Sequence, residues 1–355
     1  MKMSHLIVLL LALAMVLSLA ACAGNPAGTA AADPADAQSS SGDSLLGSSG
    51  ATTRFKVGTT TAPDGHYVLG LIEMQKLLEE YSNGEMTLDI YPNSALGGES
   101  DMMDAVSMGT QEMCLVSTGP IPSFARATAN WSVLDLPYLF KNAEQAYEVL
   151  DGSIGQQLLS GFEGTGVRAL GFWENGFRDL TNNKREIAVP ADLAGLKIRT
   201  MENNVHIATY TALGALPSPL AWGEIFSALQ QGTVDGQENP LAIILTAKVY
   251  EVQKYISVLN LFYSPCVLMI SEDVYNSLTA EQQNALNRAA EEGKQAERRI
   301  SQDLAAAARA AMEDEGVVFT DVDQSVWVEA TKAVYDDASL NIDQELLAQI
   351  RAITG

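Results

Sequence analysis

The stretch FKVGTTTAPDGHYVLGLIEMQKLLEEYSNGEMTLDIY, residues 55–91, carries the pattern that decides the fold class. Its first part, Phe55–Thr59, predicts a strand, and Gly65–Tyr81 repeats apolar residues at helical spacing before a Ser-Asn-Gly stop. Met86–Tyr91 predicts a second strand, and a short helix and a third strand ending at Ser117 follow. This strict alternation of strand and helix predicts an α/β fold with a mostly parallel sheet.

The rest of the chain continues this alternation. Further strands are predicted at Arg168–Trp173, Ile198–Thr200, Tyr255–Leu259 and Cys266–Ser271, and further helices at Asn142–Ser160, Trp222–Gln231 and residues 240–250.

A long helix is predicted between Ser271 and Glu315. After Thr279 the sequence has no proline and is rich in Ala, Glu, Gln and Arg, which favour helix. Such a helix would span roughly 45 Å. It is either an exposed outer helix or a strut across two lobes, and the second interpretation fits a folded part of about 300 residues, which usually forms two domains.

Composition excludes several classes of partner. The 355 residues include 44 acidic and 21 basic side chains, so the formal net charge is −23. This charge argues against binding to nucleic acid, which needs Lys and Arg at the phosphates, and against an electrostatic hold on an anionic membrane. An anionic ligand must therefore be held by local positive charge.

The N-terminus has the pattern of an export signal. Lys2 precedes an apolar run over residues 6–17 that is too short to span a membrane, and small residues follow. The sequence LAAC looks like a bacterial lipobox, so we expect a signal peptide over residues 1–21 and a lipid on Cys22; a plain signal-peptidase site is the alternative. Residues 22–53, rich in Ala, Gly and Ser, predict a flexible tether behind an anchor on the outer side of the cytoplasmic membrane.

The sequence lacks the common catalytic motifs. It contains no phosphate-binding loop, no dinucleotide-binding glycine motif, no nucleophile elbow and no zinc-protease helix, so we expect no cofactor and no metal. His66 and His206 are the two histidines beyond the signal. Cys114 and Cys266 lie in apolar runs and are expected to be buried free thiols, with a disulfide as the alternative in an oxidising compartment.

Two arginines have the surroundings expected of an anion site. Arg178 in GFWENGFRDL (171–180) and Arg199 in KIRT (197–200) lie beside aromatic residues or at a strand end, where open α/β sheets bind ligands. The planar guanidinium donates two parallel hydrogen bonds to a carboxylate. Either arginine alone would more often be a surface group, but the nearby GQENP motif (236–240) strengthens the case.

Three runs carry a family resemblance: PNSALGGESDMM (92–103), KIRT and LPSPLAWGEIFSALQQGTVDGQENP (216–240). Over about residues 54–320 the chain resembles the DctP family, the solute-binding proteins of tripartite ATP-independent periplasmic (TRAP) transporters. The resemblance implies two α/β lobes, joined by crossing strands and one long helix that spans both, which close on a ligand. On this basis we expect lobe I to comprise residues 54–175 plus 265–304, and lobe II residues 176–264 plus 305–355.

Residue roles are implied where the family motifs match. Arg199 would form the main salt bridge with a ligand carboxylate, and Arg178 would be the second arginine. Asn239 would hydrogen-bond the ligand from the facing side, and Glu99 would accept from a ligand hydroxyl. Trp222 would pack against the carbon skeleton of the ligand, with ordinary core packing as an equal alternative. The weaker candidates are Trp173, Glu174, Tyr67 and His66.

These features predict an exported, lipid-anchored receptor that captures a small organic acid and delivers it to a TRAP permease. A sugar acid such as a hexuronate is favoured, because Glu99 and Asn239 offer partners for hydroxyl groups. A C4-dicarboxylate is the alternative, with Arg178 taking the second carboxylate. Two other classes remain as rivals: an enzyme on the same scaffold, with Glu99 or Glu174 as base, and a sensor subunit. The missing cofactor motifs and the scarcity of histidine argue against the enzyme.

Overall fold

The computed structural model describes residues 44–355, so the expected signal peptide, the lipidated Cys22 and most of the expected tether lie outside the described residues. In this part of the chain, nine strands form one mixed sheet. They are β1 (Thr53–Thr59), β2 (Met86–Tyr91), β3 (Met113–Ser117), β4 (Val167–Asn182), β5 (Lys197–Thr200), β6 (Leu216–Pro219), β7 (Gly236–Pro240), β8 (Tyr255–Ser271) and β9 (Val318–Asp321).

Helices cover both faces of the sheet. They are α1 (His66–Tyr81), α2 (Glu99–Ser107), α3 (Ile121–Phe124), α4 (Ala143–Leu150), α5 (Ser153–Ser160), α6 (Asn204–Ala212), α7 (Ile225–Gln230), α8 (Leu241–Thr246), α9 (Glu272–Ser277), α10 (Ala280–Asp314), α11 (Gln324–Tyr335) and α12 (Gln344–Thr354). Short 3₁₀ segments lie at Arg126–Asp135, Pro190–Leu193, Trp222–Glu224, Val249–Glu251 and Ala338–Leu340. Within residues 44–355, no helix is both long and apolar enough to cross a membrane.

Two long antiparallel strands join the halves of the sheet. β4 and β8 pair from Val167 opposite Ser271 to Asn182 opposite Tyr255. The parallel strands β1, β2 and β3 attach to the second half of β8, whereas β7, β5 and β6 attach to the second half of β4. The sheet therefore consists of two smaller α/β halves bridged by crossing strands, and the predicted fold class is confirmed.

Side chains that alternate along β3 fill two hydrophobic clusters on opposite faces of the first half. Cys114 and Val116 belong to one cluster, and Met113 and Leu115 belong to the other, as the two-residue period of a strand requires. Cys266 on β8 lies in the second of these clusters, away from Cys114. Both thiols are buried and free, which confirms the expectation of unpaired cysteines over a disulfide.

Helix α10 is the predicted strut. Thr279 caps it, because the Thr279 hydroxyl accepts from the Gln282 amide at 3.2 Å and the Gln282 side chain accepts from the Thr279 amide at 3.0 Å. Near its start, Leu286 packs into a cluster of the first half, and near its end Met312 packs into a cluster of the second half. The helix spans both halves, so the interpretation as an exposed outer helix is wrong.

β8 is longer than predicted. The sequence analysis predicts two strands, Tyr255–Leu259 and Cys266–Ser271, where the structure has one. Asn260 and Pro265, which are unfavourable inside a regular strand, both lie at irregularities of the observed strand. Asn260 has φ 46°, and Pro265 lies opposite Glu174, where the pairing register with β4 shifts. A bulge tolerates proline in a central strand because the local ladder is already interrupted.

Other predicted elements differ in their bounds. β4 continues to Asn182 instead of ending at Trp173, and the predicted helix 142–160 divides into α4 and α5 at Asp151 and Gly152. The helices predicted around residues 222–231 and 240–250 each include a separate 3₁₀ turn.

The described chain packs on the sheet before the expected tether ends. Leu45 exchanges backbone hydrogen bonds of 2.8 and 3.0 Å with Ile90 of β2. The Gly47 amide donates to the Asp89 carboxylate at 3.1 Å, and Arg54 pairs with the same carboxylate. The last residues of the expected tether, from Leu45 onward, are therefore held at the sheet edge.

The C-terminal helix α12 lies with the first half of the molecule. Leu346, Leu347 and Ile350 join the cluster that also contains residues of α4 and α5. The Lys141 ammonium donates to the Thr354 carbonyl at 3.1 Å. The expected assignment of all of residues 305–355 to lobe II therefore fails for this helix, whose apolar face matches the helices of lobe I.

Candidate ligand-binding site

A small polar cavity lies where several strands end. β1, β3, β5 and β7 each deliver residues to it from their C-terminal ends, as expected for ligand sites in open α/β sheets. The middle of β4, the start of α2 and the segment around residue 222 complete the wall. The lining residues are Thr60, Thr61, Tyr67, Glu99, Ser117, Asn175, Arg178, Arg199, Met201, Trp222, Asn239 and Ile243. Six of the nine predicted site residues are among them.

Arg178 is paired inside the protein. Its Nη2 donates to Oε1 of Glu238 at 3.0 Å and to the Glu238 carbonyl at 2.8 Å, and its Nε donates to Oε2 of the same residue. Both side chains are almost completely buried. The Nη1 of Arg178 is buried and has no hydrogen-bond partner in residues 44–355. The charge of this arginine is thus compensated, and one donor remains for a ligand.

A buried chain of charges continues behind Arg178. His206 Nδ1 lies 3.5 Å from Glu238 Oε1, and Nε2 lies 3.4 Å from Asp135 Oδ1. The His206 ring stacks on Phe262 with centroids 4.1 Å apart. Burial opposes charge on His206, but Asp135 and Glu238 outweigh it and raise its pKa. Burial likewise opposes charge on Glu238, yet Arg178 and His206 lower its pKa to about 2.

Arg199 has no such compensation. Its Nε and Nη2 both donate to the Leu220 carbonyl, at 2.8 and 2.6 Å, and in the described chain no carboxylate lies within 4.0 Å of its guanidinium. Only 3% of the residue is exposed. Burial, together with repulsion by Arg178, lowers its pKa to about 10. A buried cation without a counter-charge costs several kcal/mol, which an anion in the cavity would offset.

Glu99 and Asn239 face the cavity from the two halves of the sheet. Glu99 begins α2, and its oxygens accept from the Ser117 amide at 2.6 Å and the Ser117 hydroxyl at 2.8 Å. Burial raises the pKa of Glu99, although Ser117, Arg199 and Arg178 act in the opposite direction. The Asn239 side-chain amide donates to Gln237 Oε1 at 2.5 Å. Both residues can hydrogen-bond the hydroxyl groups of a ligand.

Two aromatic side chains complete the predicted set in the cavity. Tyr67, in the first turn of α1, is 2% exposed. Trp222 is partly buried at the opposite side, in the 3₁₀ turn that precedes α7. It lies on the cavity wall, so its indole is available as a flat apolar surface.

Three predicted residues lie elsewhere. Trp173 is in the hydrophobic cluster beneath α1, Glu174 accepts from the hydroxyls of Tyr147 and Tyr263, and His66 Nδ1 lies 2.7 Å from Oε1 of Glu297. For Trp173 and Glu174, nearness to Arg178 in sequence is misleading, because adjacent strand residues point to opposite faces and the β4 bulge shifts the pattern. For His66, the position after the first strand is misleading, because its imidazole pairs with Glu297 instead.

The sequence prediction missed six lining residues. Thr60, Thr61, Ser117 and Met201 each end or follow a predicted strand, so the rule that ligands bind at strand ends could have found them. Asn175 and Ile243 had no such signal, because Asn175 lies inside the unexpected extension of β4 and Ile243 lies within a helix. In residues 44–355, no group of three or more His, Cys, Asp or Glu side chains is placed to hold a metal ion.

Comparison with known families gives a match over most of the chain. Residues 57–341 match the model of the bacterial extracellular solute-binding proteins, family 7, also called DctP. The chain belongs to this family. Family members are binding proteins of transporters, so the enzyme interpretation loses support.

Relatives and solved structures agree with this assignment. A solute-binding protein of Verminephrobacter eiseniae is 39% identical and covers 85% of this chain and 90% of its own length. The 2,3-diketo-L-gulonate-binding periplasmic protein YiaO of Escherichia coli is 34% identical and covers 80% of this chain and 86% of its own. The crystal structure of a TRAP periplasmic solute-binding protein from Polaromonas, bound to D-erythronate, is 38% identical with a TM-score of 0.82, covering 85% of this DctP-family chain and 99% of its own.

Proposed function

We propose that this DctP-family protein is an exported receptor that captures a small organic acid anion and delivers it to a TRAP permease. The observation that carries the proposal is Arg199, a buried guanidinium at the strand ends whose hydrogen bonds go to a single carbonyl. A carboxylate in the cavity would supply the missing charge and accept from the remaining N–H groups of the guanidinium.

A sugar acid is the favoured ligand class. Related solved structures hold galactonate, galacturonate and glucuronate, and others hold pantoate and succinate. In this chain Glu238 already pairs with Arg178, so Arg199 is the cavity arginine that has no carboxylate within 4.0 Å in residues 44–355. One charge suits a monocarboxylate better than a C4-dicarboxylate. Glu99, Asn239 and Ser117 supply the hydroxyl partners that a polyhydroxy acid needs.

Capture would proceed by closure of the two lobes. Glu99, Tyr67 and Ser117 belong to the proposed lobe I, whereas Arg199 and Asn239 belong to lobe II. A ligand shifts the balance between open and closed forms only by its differential affinity for them, so contacts from both sides favour the closed form. The permease would recognise that closed form. Small-angle scattering of the protein is expected to show a smaller radius of gyration after ligand addition.

The lipid anchor is part of the proposal. The lipobox at Cys22 and the tether behind it would keep the receptor near its permease. Wild-type cells grown with labelled palmitate are expected to label the protein, and Cys22→Ala is expected to remove the label. Labelling that persists in this variant would contradict the anchor.

A thermal-shift screen tests the ligand class. Galactonate, glucuronate, erythronate, pantoate and succinate are added to the wild type, to Arg199→Ala and to the control Arg309→Ala, whose exposed side chain pairs on the surface of α10. At 100 times Kd a ligand adds about 2.7 kcal/mol of stability. We expect sugar acids to stabilise the wild type and the control but not Arg199→Ala, and to be recovered chemically unchanged. Equal stabilisation of all three proteins would refute the assignment.

A further inference from the structure

A second cavity adjoins the ligand site. We call the cavity around Arg199 the inner chamber and its neighbour the outer chamber; they share Thr60 and Trp222. The inner chamber encloses about 30 Å³ and the outer one about 360 Å³. Small-molecule sites are typically roughly 300–1,000 Å³, so the outer chamber alone has the size of a ligand site.

The outer chamber continues the geometry of the inner one. Thr60 and Ala62 follow β1, and Asn93 and Ser94 follow β2, so one wall comes from the first half of the sheet. The other wall comes from the second half. Ile243 of α8 lines the inner chamber, whereas Thr246, the last residue of α8, and Ala247, which follows it, line the outer one. A separation of three to four residues places them on the same helix face, one turn apart.

The lining suits a ring that is apolar on its face and polar at its edge. Trp222 and Phe226 provide aromatic surface. Phe226 is 39% exposed because nothing in the described chain covers it. Thr60, Asn93 and Ser94 provide hydroxyl and amide groups. Sugar rings and substituted aromatic rings have this combination of surfaces.

Three loop residues in the outer chamber have unusual backbone geometry. Asn93, Ser94 and Lys248 have φ of 55°, 57° and 53°, in the left-handed region that favours glycine. Of the seven non-glycine residues with positive φ in residues 44–355, these three line one cavity. Strained backbone concentrates at ligand sites because the surrounding structure must hold it there.

We propose that the outer chamber is a distal subsite for the far end of the ligand. This inference rests on the proposed function: the carboxylate reaches Arg199, the chain of the ligand passes Trp222, and a second ring occupies the outer chamber. The preferred ligand is therefore an acid with a ring substituent at the end opposite its carboxylate, such as a glycoside of a uronic acid.

Calorimetric titration with matched ligands tests the subsite. Glucuronate is compared with 4-nitrophenyl β-D-glucuronide, which adds a ring opposite the carboxylate, and gluconate with lactobionate, which adds a sugar ring. 4-Nitrophenyl β-D-glucoside lacks the carboxylate and controls for the ring alone. The proteins are the wild type, Ala247→Trp, which fills the outer chamber, and Ala307→Trp, which adds the same side chain at an exposed position of α10.

The expected result is that a ring-bearing acid binds the wild type at least about tenfold more tightly than its short partner. In Ala247→Trp that advantage disappears while the short acid keeps its affinity, and Ala307→Trp behaves like the wild type. If short acids bind but the added ring gives no advantage, or if Ala247→Trp keeps the advantage, the subsite is refuted and the proposed function stands. Tight binding of the glucoside also refutes the subsite. If no acid binds the wild type, both proposals fail.

Discussion

Two clusters of largely buried charged side chains differ in whether each charge has a partner within the protein. The helix cluster, beneath α10, consists of Glu174, Lys294, Glu297 and Arg298, which are buried, and Asp151, which is exposed. The cleft cluster, at the ligand cavity, consists of Arg178, Arg199, His206 and Glu238, which are buried, and Glu99, which is partly buried.

In the helix cluster every charge has a partner within the protein. Arg298 pairs with Asp151 at 2.6 Å, and Lys294 shares the same carboxylate at 3.1 Å. One carboxylate oxygen of Glu297 lies 2.7 Å from His66 Nδ1, and the other accepts from the Glu174 amide at 2.9 Å. In the cleft cluster Arg178 is equally well paired, but Arg199 is not. Burial of a charged side chain alone therefore does not mark a binding site; a buried cation without a counter-charge, such as Arg199, does.

The largest expected effect concerns stability in the helix cluster. Glu297→Ala leaves His66 and the Glu174 amide without their partner, and each buried polar group that loses its hydrogen bond costs about 1–3 kcal/mol of stability. Urea unfolding measures this loss. Arg309→Ala, on the same helix but with exposed partners, is expected to cost less than about 1 kcal/mol. Ligand affinity should stay unchanged in both variants. Its loss in Glu297→Ala would contradict the claim that the helix cluster serves stability and the cleft cluster serves binding.

Asp179 is a buried acidic side chain that has no cation as its partner in the described residues. It is 2% exposed, accepts from the Asn260 amide at 2.9 Å and has no cation within 4.0 Å in the described residues. Burial raises its pKa to about 7, so the side chain can become neutral by taking a proton. A guanidinium cannot become neutral in this way, because it stays protonated in proteins. A buried arginine without a counter-charge therefore indicates an anionic ligand more strongly than a buried carboxyl without a counter-charge indicates a cation.

The raised pKa of Asp179 predicts a pH dependence of stability. The pKa of Asp179 in the folded protein lies above its ordinary value of 3.8, so its contribution to stability is fully present below pH 3.8 and is lost as pH rises through 7. At about 1.36 kcal/mol per unit, the loss approaches roughly 4 kcal/mol by neutral pH as an upper figure. Asp179→Asn is expected to remove this part of the slope between pH 4 and 7 in urea unfolding. Parallel pH profiles for variant and wild type would contradict the assignment.

The smallest expected effect is a change of ligand preference in the cleft cluster. Glu238→Gln keeps the shape of the side chain but removes the charge that neutralises Arg178. The cavity would then hold two unmet cations, so affinity for succinate relative to a sugar acid should rise about tenfold. Calorimetric titration measures the ratio, and a melting curve checks that the variant is folded. An unchanged ratio would show that the pairing of Arg178 does not decide between the ligand classes.

The sequence predicted the parts of this picture that depend on local pattern. Alternating strand and helix over residues 55–117 indicated the α/β class, and the long Ala- and Glu-rich run after Thr279 indicated the strut. Arg199 was found because it ends a short strand, and such strand ends meet at one edge of the sheet. These features need only neighbours along the chain.

The features that were missed depend on distant contacts. Glu238 lies 60 positions from Arg178, and the pairing that neutralises this arginine exists only after β4 and β7 align. Glu174 looked available beside the motif, but Tyr147 and Tyr263 enclose its carboxylate from other elements. No local sequence pattern indicates such partners, so the sequence alone could not distinguish Arg178, which is paired, from Arg199, which is not.

The central claim, that a ligand carboxylate compensates Arg199, is tested most directly by removing each charge in turn. The sugar acid that stabilises the protein most and its neutral amide are titrated by calorimetry into the wild type and into Arg199→Met. Removing one partner of a buried charge pair costs about 2–5 kcal/mol of binding free energy. The account predicts that the wild type prefers the acid to the amide by that amount and that Arg199→Met shows no preference while being at least as stable as the ligand-free wild type. An undiminished preference for the acid in Arg199→Met would contradict it.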